Sequence, residues 1–231
     1  QRLTAFFFTG SKILKQLTSI QKQLTQSSIF SVTKTQVADL HASTSCLKSF
    51  CTSVAADGIE DCRKSCGGHG FLQASGLPEL LGSYLQNPTV EGDNHMLPQQ
   101  AVGVLLKLVK KVIQGDETVQ EEYKGCDSEY LIAAIQNILS GEEQHFTPTN
   151  LQEIQNLDVL LSAFRHRSAR LLLTVAQELE EKLSSLDDNA SMQSAWNDSL
   201  IQMHRISCAH ALSILLFQFQ KGINEAKQQH T

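Results

Sequence analysis

No apolar run in this sequence approaches the roughly 18 residues that a membrane helix needs, because Phe6-Phe7-Phe8 is soon followed by Gly10, Ser11 and Lys12. A transmembrane segment is therefore not expected. Positive charge is not in excess either, and the net charge of −5 argues against nucleic acid as the main partner. Aromatic residues are scarce at 6%, although the hydrophobic fraction of 41% is ordinary for a globular protein. The Gly-x-Ser-x-Gly spacing of a nucleophile elbow does not occur, which leaves hydrolase chemistry with little support. No segment alternates apolar and polar residues convincingly as a strand, so the expected fold is all-α.

Cysteine is too sparse for a small secreted disulfide scaffold: Cys46, Cys51, Cys62, Cys66, Cys126 and Cys208 read as reduced thiols. Cys62 and Cys66 are four apart and His69 follows, but a closed zinc site needs a fourth ligand at recognisable spacing. They are expected instead as buried thiols used as small apolar residues, and no metal site is expected. His204 and His210 are six apart, which is not a metal-binding helical spacing, and both read as structural. Arg165-His166-Arg167 with Arg170 offers cations to an anion such as a CoA phosphate, yet alternating charge on a helix more often marks a solvated face. The chain opens on Gln1-Arg2-Leu3 without methionine and without a secretory leader, so it is expected to be cut from something longer. The end, Lys227-Gln228-Gln229-His230-Thr231, carries no Ser-Lys-Leu-type address.

A chain of 231 residues suits one large domain or two small ones. Leu40, Leu47, Cys51, Val54, Ile59, Cys62 and Cys66 fall at three-, four- and seven-residue steps but for the five from Val54 to Ile59, the broad stripe of a long helix that Gly67-Gly68 ends. A second helix is expected from Asp93 or Asn94 as N-cap, through Val102, Leu105, Val109 and Val112, to Gly115. Lys107, Lys110 and Lys111 form its solvent edge. A helix near Glu129–Leu139 follows, then a linker over Gly141–Asn150 in which Thr147-Pro148-Thr149-Asn150 is ready to start the next helix. Two long amphipathic segments, about Leu151–Leu186 and Met192–Ala226, are separated by the polar turn Ser184–Asn189. The expected organisation is a helical bundle over 1–115, a connecting segment over 116–150 and a second helical region over 151–231.

Two motifs carry chemistry. Cys66-Gly67-Gly68-His69-Gly70-Phe71 is a glycine-rich turn whose backbone can approach a phosphate or a ring, and Val90-Glu91-Gly92-Asp93-Asn94 sets a carboxylate beside a glycine, as a general base needs. Each has a plainer reading. Phosphate-binding glycines normally follow a strand, whereas these end a helix and suit a C-cap; Glu91 suits the acidic first turn of a helix.

In combination they resemble one family. The blocks Leu40-His41-Ala42, Leu47-Lys48, Asp57–Lys64, Cys66–Phe71, Ser75-Gly76-Leu77-Pro78 and Glu91-Gly92-Asp93-Asn94 occur in the order seen in the peroxisomal acyl-CoA oxidases. Leu161–Leu171 resembles the start of that family's extra C-terminal helical domain. The resemblance implies a FAD-dependent enzyme that converts fatty acyl-CoA to trans-2-enoyl-CoA and passes electrons to O2, releasing hydrogen peroxide, in the peroxisome. It implies Glu91 as catalytic base, and Gly67, Gly68 and Gly70 as a turn approaching the FAD diphosphate of a neighbouring subunit in a homodimer. Asp93 and Asn94 match positions near the flavin. Because the N-terminal helical and middle β-domains of that family have no counterpart here, these 231 residues alone are expected neither to hold FAD firmly nor to turn over.

Departures from the pattern are Val90, where an aromatic residue or cysteine usually stands, Val102-Gly103 in place of an Ala-Arg pair, and Pro98 near a helix start. Proline is tolerated in a first turn and kinks a helix deeper in. An acyl-CoA dehydrogenase passing electrons to a flavoprotein, or a helical dimerisation module without catalysis, are the competing readings. The long extension beyond Gly115 favours the oxidase.

Overall fold

Helix α1 covers residues 9–18, and Thr33 then opens α2 (Lys34–Ser65) with a reciprocal cap. The Thr33 hydroxyl accepts from the Gln36 N–H and the Gln36 side chain accepts from the Thr33 N–H, both at 3.1 Å. The apolar stripe lies on this helix as expected, but the helix begins earlier than the stripe, where the cap and not the periodicity marks its start. It ends at Cys66, and Gly67 takes a left-handed φ of +58°. These features come from a computed structural model that describes residues 9–18, 33–142, 148, 150–184 and 189–229. Gln1-Arg2-Leu3, Phe6-Phe7-Phe8, Thr147, Thr149, residues 185–188 of the polar turn and His230-Thr231 lie outside the described residues.

Two 3₁₀ turns, Gly67–Phe71 and Gln73–Ser75, lead into α3 (Leu77–Tyr84), a helix too short for its periodicity to stand out in the sequence. Helix α4 (Leu97–Ile113) starts later than expected, and neither Asp93 nor Asn94 is its N-cap. Asp93 closes the turn before it, accepting the His95 N–H on its side chain at 2.7 Å and the Met96 and Leu97 N–H groups on its carbonyl at 3.0 Å. Pro98 consequently falls in the first turn, where its missing N–H breaks no helical bond.

The remaining helices are α5 (Val119–Glu122), α6 (Tyr130–Leu139), α7 (Leu151–Gln155), α8 (Leu157–Ser184), α9 (Asn189–Asp198) and α10 (Leu200–Gln229). Each long segment expected beyond Leu151 is thus broken once. Asn156 turns to ψ 118° and its side chain accepts from the Asp158 N–H at 2.9 Å. Ser199 is buried between α9 and α10, with its hydroxyl bonded back to the Ala195 carbonyl at 2.9 Å. Among the described residues no strand forms.

Helix α10 packs along α8, α2 packs on α4, and α10 also meets both α4 and α2. The main core joins Leu105, Leu108 and Val109 of α4 to Leu131, Ile132 and Ile135 of α6, Leu172 of α8, and Met203 and Ile206 of α10. Residues before 115 and after 150 therefore share one core, and the stretch between them supplies part of it. A smaller cluster of Ala42, Cys46, Leu47, Ala101, Ala211, Ile214 and Leu215 seats α2 against α4 and α10. Among the described residues Leu200–Gln228 is the one stretch long and apolar enough to cross a membrane, and half of its apolar window is buried inside this bundle. No residue of α2 beyond Cys51 belongs to either cluster. Cys62 and Cys66, expected to be buried, are consequently exposed, whereas Cys46 is fully buried; all six thiols are free.

Candidate active site

Residues 86–96 form a series of turns between α3 and α4. The Thr89 and Val90 N–H groups donate to the Gln86 carbonyl at 2.9 and 3.0 Å, and the Asn94 N–H closes the loop onto the Pro88 carbonyl at 2.9 Å. Glu91 sits in this loop, exposed, with φ +56°, and is the one non-glycine residue with positive φ among the described residues. For a residue bearing a Cβ that conformation costs on the order of 1–2 kcal/mol and persists only where its surroundings hold it. Gly92 follows at φ +105°, and a Cβ there would stand 2.8 Å from the Leu97 side chain, so glycine is required twice over.

Asn94 anchors the loop. Its side-chain amide donates to the Ser49 carbonyl at 3.0 Å, to Thr52 Oγ1 at 2.9 Å and to Ser53 Oγ at 2.8 Å, and its Oδ1 accepts from Lys48 Nζ at 3.0 Å. Ser49 Oγ donates to the Asn94 carbonyl at 2.9 Å, and Lys48 Nζ donates also to the Gly92 carbonyl. The residue is only 6% exposed, so each of these bonds matters more than it would at the surface. Ser49, Thr52 and Ser53 carry no chemistry in a reading of motifs. The signal that marks them is a polar patch at helical spacing on a helix otherwise apolar there.

The glycine turn lies elsewhere on α2. Ser53, where the Glu91 loop is anchored, and Ser65, where the glycine turn begins, are twelve residues apart, about 18 Å along a helix axis. Gly67 and Gly68 are exposed, with nothing within 4 Å of where a Cβ would stand. Gly70 is buried, and a Cβ there would meet the Arg63 carbonyl oxygen at 2.0 Å. Packing against the end of α2 accounts for Gly70, while Gly67 and Gly68 present open backbone. The side-chain amide of Asn94 is spent on α2, and Asp93 Oδ1 holds the turn before α4.

An apolar groove of about 880 Å³ runs between α1, α2 and α3, lined by Ile13, Leu47, Cys51, Val54, Leu80 and Tyr84 among others. Lys48 lines it too, so one side chain belongs to both the groove and the loop anchor. Farther away, Arg165 departs from the solvated face expected of it. Its guanidinium lies over the Tyr130 and Phe217 rings, 5.2 and 5.1 Å from their centroids, and burial pulls its pKa below the usual arginine range. Arg167 and Arg170 are exposed, as expected. His210 is fully buried with Nδ1 2.9 Å from the Tyr130 hydroxyl, a structural role as expected. No group of three or more His, Cys, Asp or Glu residues is placed to hold a metal among the described residues.

Residues 2–106 match the model of the acyl-CoA oxidase C-alpha1 domain, and residues 156–231 match the acyl-CoA oxidase model. The chain belongs to the acyl-CoA oxidase family. It is 32% identical over 227 residues to peroxisomal acyl-coenzyme A oxidase 1 of Dictyostelium discoideum, covering 95% of this chain and 32% of that protein. With the Mus musculus enzyme of the same name it is 31% identical, over 89% of this chain and 29% of the relative. The solved acyl-CoA oxidase 1 of Arabidopsis thaliana superposes with a TM-score of 0.78 at 30% identity, covering 95% of this chain and 30% of the other. Acyl-CoA oxidase-1 of Caenorhabditis elegans, solved with FAD and ATP, gives 0.74 at 27% identity, over 96% and 30% of the two chains. The chain thus spans about a third of the length of these acyl-CoA oxidases.

Proposed function

We propose that the protein carrying this chain is a FAD-dependent acyl-CoA oxidase of peroxisomal fatty-acid β-oxidation, with Glu91 as its catalytic base. It converts a fatty acyl-CoA to the trans-2-enoyl-CoA and reduces O2 to hydrogen peroxide. The observation that carries the role of Glu91 is its left-handed conformation in an exposed loop bolted to α2, since strain of this kind gathers where a side chain must be aimed.

The residues present fit the cofactor, because Gly67 and Gly68 leave the space beside their backbone free for a diphosphate to approach. The chemistry that bound FAD would supply is acceptance of the substrate's β-hydrogen as hydride. The Glu91 carboxylate removes the α-proton from the opposite side of the Cα–Cβ bond. The left-handed turn sets the direction of that carboxylate, and the α2 anchor holds the loop that carries it. The Glu91 loop is anchored at Ser53 and the glycine turn follows Ser65, some 18 Å farther along α2, which suits two different cofactor pockets, in keeping with a homodimer in which each subunit's glycine turn completes the other's FAD site. The 231 residues alone then have half of each site, and neither firm FAD binding nor turnover is expected of them.

The match over 156–231 to the acyl-CoA oxidase model favours the oxidase over a dehydrogenase. The deciding experiment is aerobic peroxide release from a long-chain saturated acyl-CoA by the full-length protein and its Glu91→Gln variant. Peroxide from the parent and none from a flavin-loaded variant is the expected result. Enoyl-CoA formed only with an artificial electron acceptor would overturn the oxidase reading, and full activity in the variant would overturn the role of Glu91.

A further inference from the structure

Between Asn94, which is pinned to α2, and Glu91 stand only Gly92 and Asp93. Gly92 is the loosest of these links, because without a Cβ it can swing through conformations closed to other residues and carry Glu91 with it. One side chain removes that freedom. Lys48 Nζ donates to the Gly92 carbonyl and to Asn94 Oδ1 together, tying the free link to the fixed one. The bonds that the ammonium makes among the described residues are to the backbone and the amide beside the carboxylate. The side chain is half-buried, its stem lining the apolar groove along α2 with Leu47 and Cys51, which limits where the ammonium can go.

We propose that Lys48 is a positioning residue for Glu91: by bridging the Gly92 carbonyl and the Asn94 side chain it fixes the Glu91–Gly92 turn and hence the direction of the carboxylate. The proposal rests on Glu91 being the base. Lys48 does not touch the reacting atoms. Its contribution is to the fraction of time that Glu91 spends aimed at the substrate, and that enters kcat and not the binding of acyl-CoA.

The test uses the full-length, flavin-loaded protein with a long-chain saturated acyl-CoA, comparing Lys48→Met, which keeps the stem and loses the donor, with Lys48→Arg and Glu91→Gln. Loss of the bridge is expected to lower kcat about 10- to 100-fold, the scale of a small misplacement of a catalytic group. KM for acyl-CoA and the flavin spectrum are expected to stay within about twofold of the parent, and Lys48→Arg to recover most of the lost kcat. A purely structural lysine would not separate kcat from KM in this way. A flavin-loaded Lys48→Met with parental kcat overturns the proposal, as does a variant whose loss lies in KM or flavin content and is not rescued by arginine. If the methionine variant loads no flavin, Lys48→Gln is read by the same split. Activity retained in Glu91→Gln marks failure of the base assignment itself, whatever the Lys48 variants do.

Discussion

Ser49 and Asn94 exchange two hydrogen bonds across 45 residues of sequence: the serine hydroxyl donates to the asparagine carbonyl at 2.9 Å, and the asparagine amide donates to the serine carbonyl at 3.0 Å. The pair turns one helix face and one loop into a single unit, and the carboxylate at position 91 depends on it. Asn94→Ala is expected to cost about 2–3 kcal/mol, since it leaves buried groups on α2 without partners. Asn94→Asp is expected to be worse near neutral pH, because a carboxylate would face the Ser49 carbonyl where the amide now donates. Thermal unfolding of the full-length variants, with kcat beside it, checks both.

The three glycines of the turn after α2 are expected to respond differently to alanine. Gly70→Ala forces a Cβ to within 2.0 Å of a backbone oxygen and is expected to destabilise the fold by several kcal/mol. Gly67→Ala is expected to cost about 1 kcal/mol for its left-handed φ. Gly68→Ala meets open space and is expected to leave unfolding unchanged while weakening FAD binding, if the turn approaches a diphosphate. Flavin fluorescence titration against thermal melting separates the three; unchanged flavin affinity in Gly68→Ala would remove the turn from the cofactor site.

Gly103 lies within α4, beside Trp196. A Cβ at 103 would lie 3.7 Å from the Trp196 ring, ordinary contact, while Trp196 Nε1 donates to Gln99 Oε1 at 3.2 Å one turn earlier. Gly103→Ala is therefore expected to stabilise the protein by about 0.5–1 kcal/mol through helix propensity, without disturbing the indole. A rise in the unfolding midpoint checks this.

His210 makes folding sensitive to acid. Burial drives its pKa from 6.5 down to about 4, against a smaller upward pull from Asp127. A depressed folded-state value means that the unfolded chain binds the proton first, so the stability this residue carries is complete above pH 6.5 and is lost as pH falls toward 4. At about 1.4 kcal/mol for each tenfold change in proton affinity, the loss amounts to about 3 kcal/mol. Replacing His210 with glutamine is expected to flatten the decline of the urea midpoint between pH 6.5 and pH 4.5. An unchanged slope would mean that the ring is charged or solvated in the folded protein.

How much of this was legible in the sequence depends on the range over which each feature acts. The apolar stripe of α2 and its stop at Gly67 are local, set by helical periodicity and by the left-handed residue that ends the helix. The all-helical class, the oxidase motifs and the place of Glu91 next to Gly92 were legible for the same reason: each is a short stretch whose residue types constrain their own neighbours. The start of α4 was not, because Asp93 and Asn94 both look like N-caps until the loop is closed, and tertiary contacts then use them for the turn and the α2 anchor. The breaks at Asn156 and Ser199 leave no mark in the periodicity, because one polar residue cannot outweigh the amphipathic pattern around it.

Which distant residues meet is a matter of packing. Local pattern is enough for an all-α chain with a carboxylate beside a glycine; folding then brings Lys48, Ser49, Thr52 and Ser53 to hold that carboxylate's loop. The same holds for Gly70, whose need for a bare backbone comes from the Arg63 carbonyl folded against it, and for Arg165, drawn from solvent onto Tyr130 and Phe217. Periodicity records which face of a helix is apolar. It does not record what is packed against that face, and hydrogen bonds over forty residues form only when the packing brings both ends together.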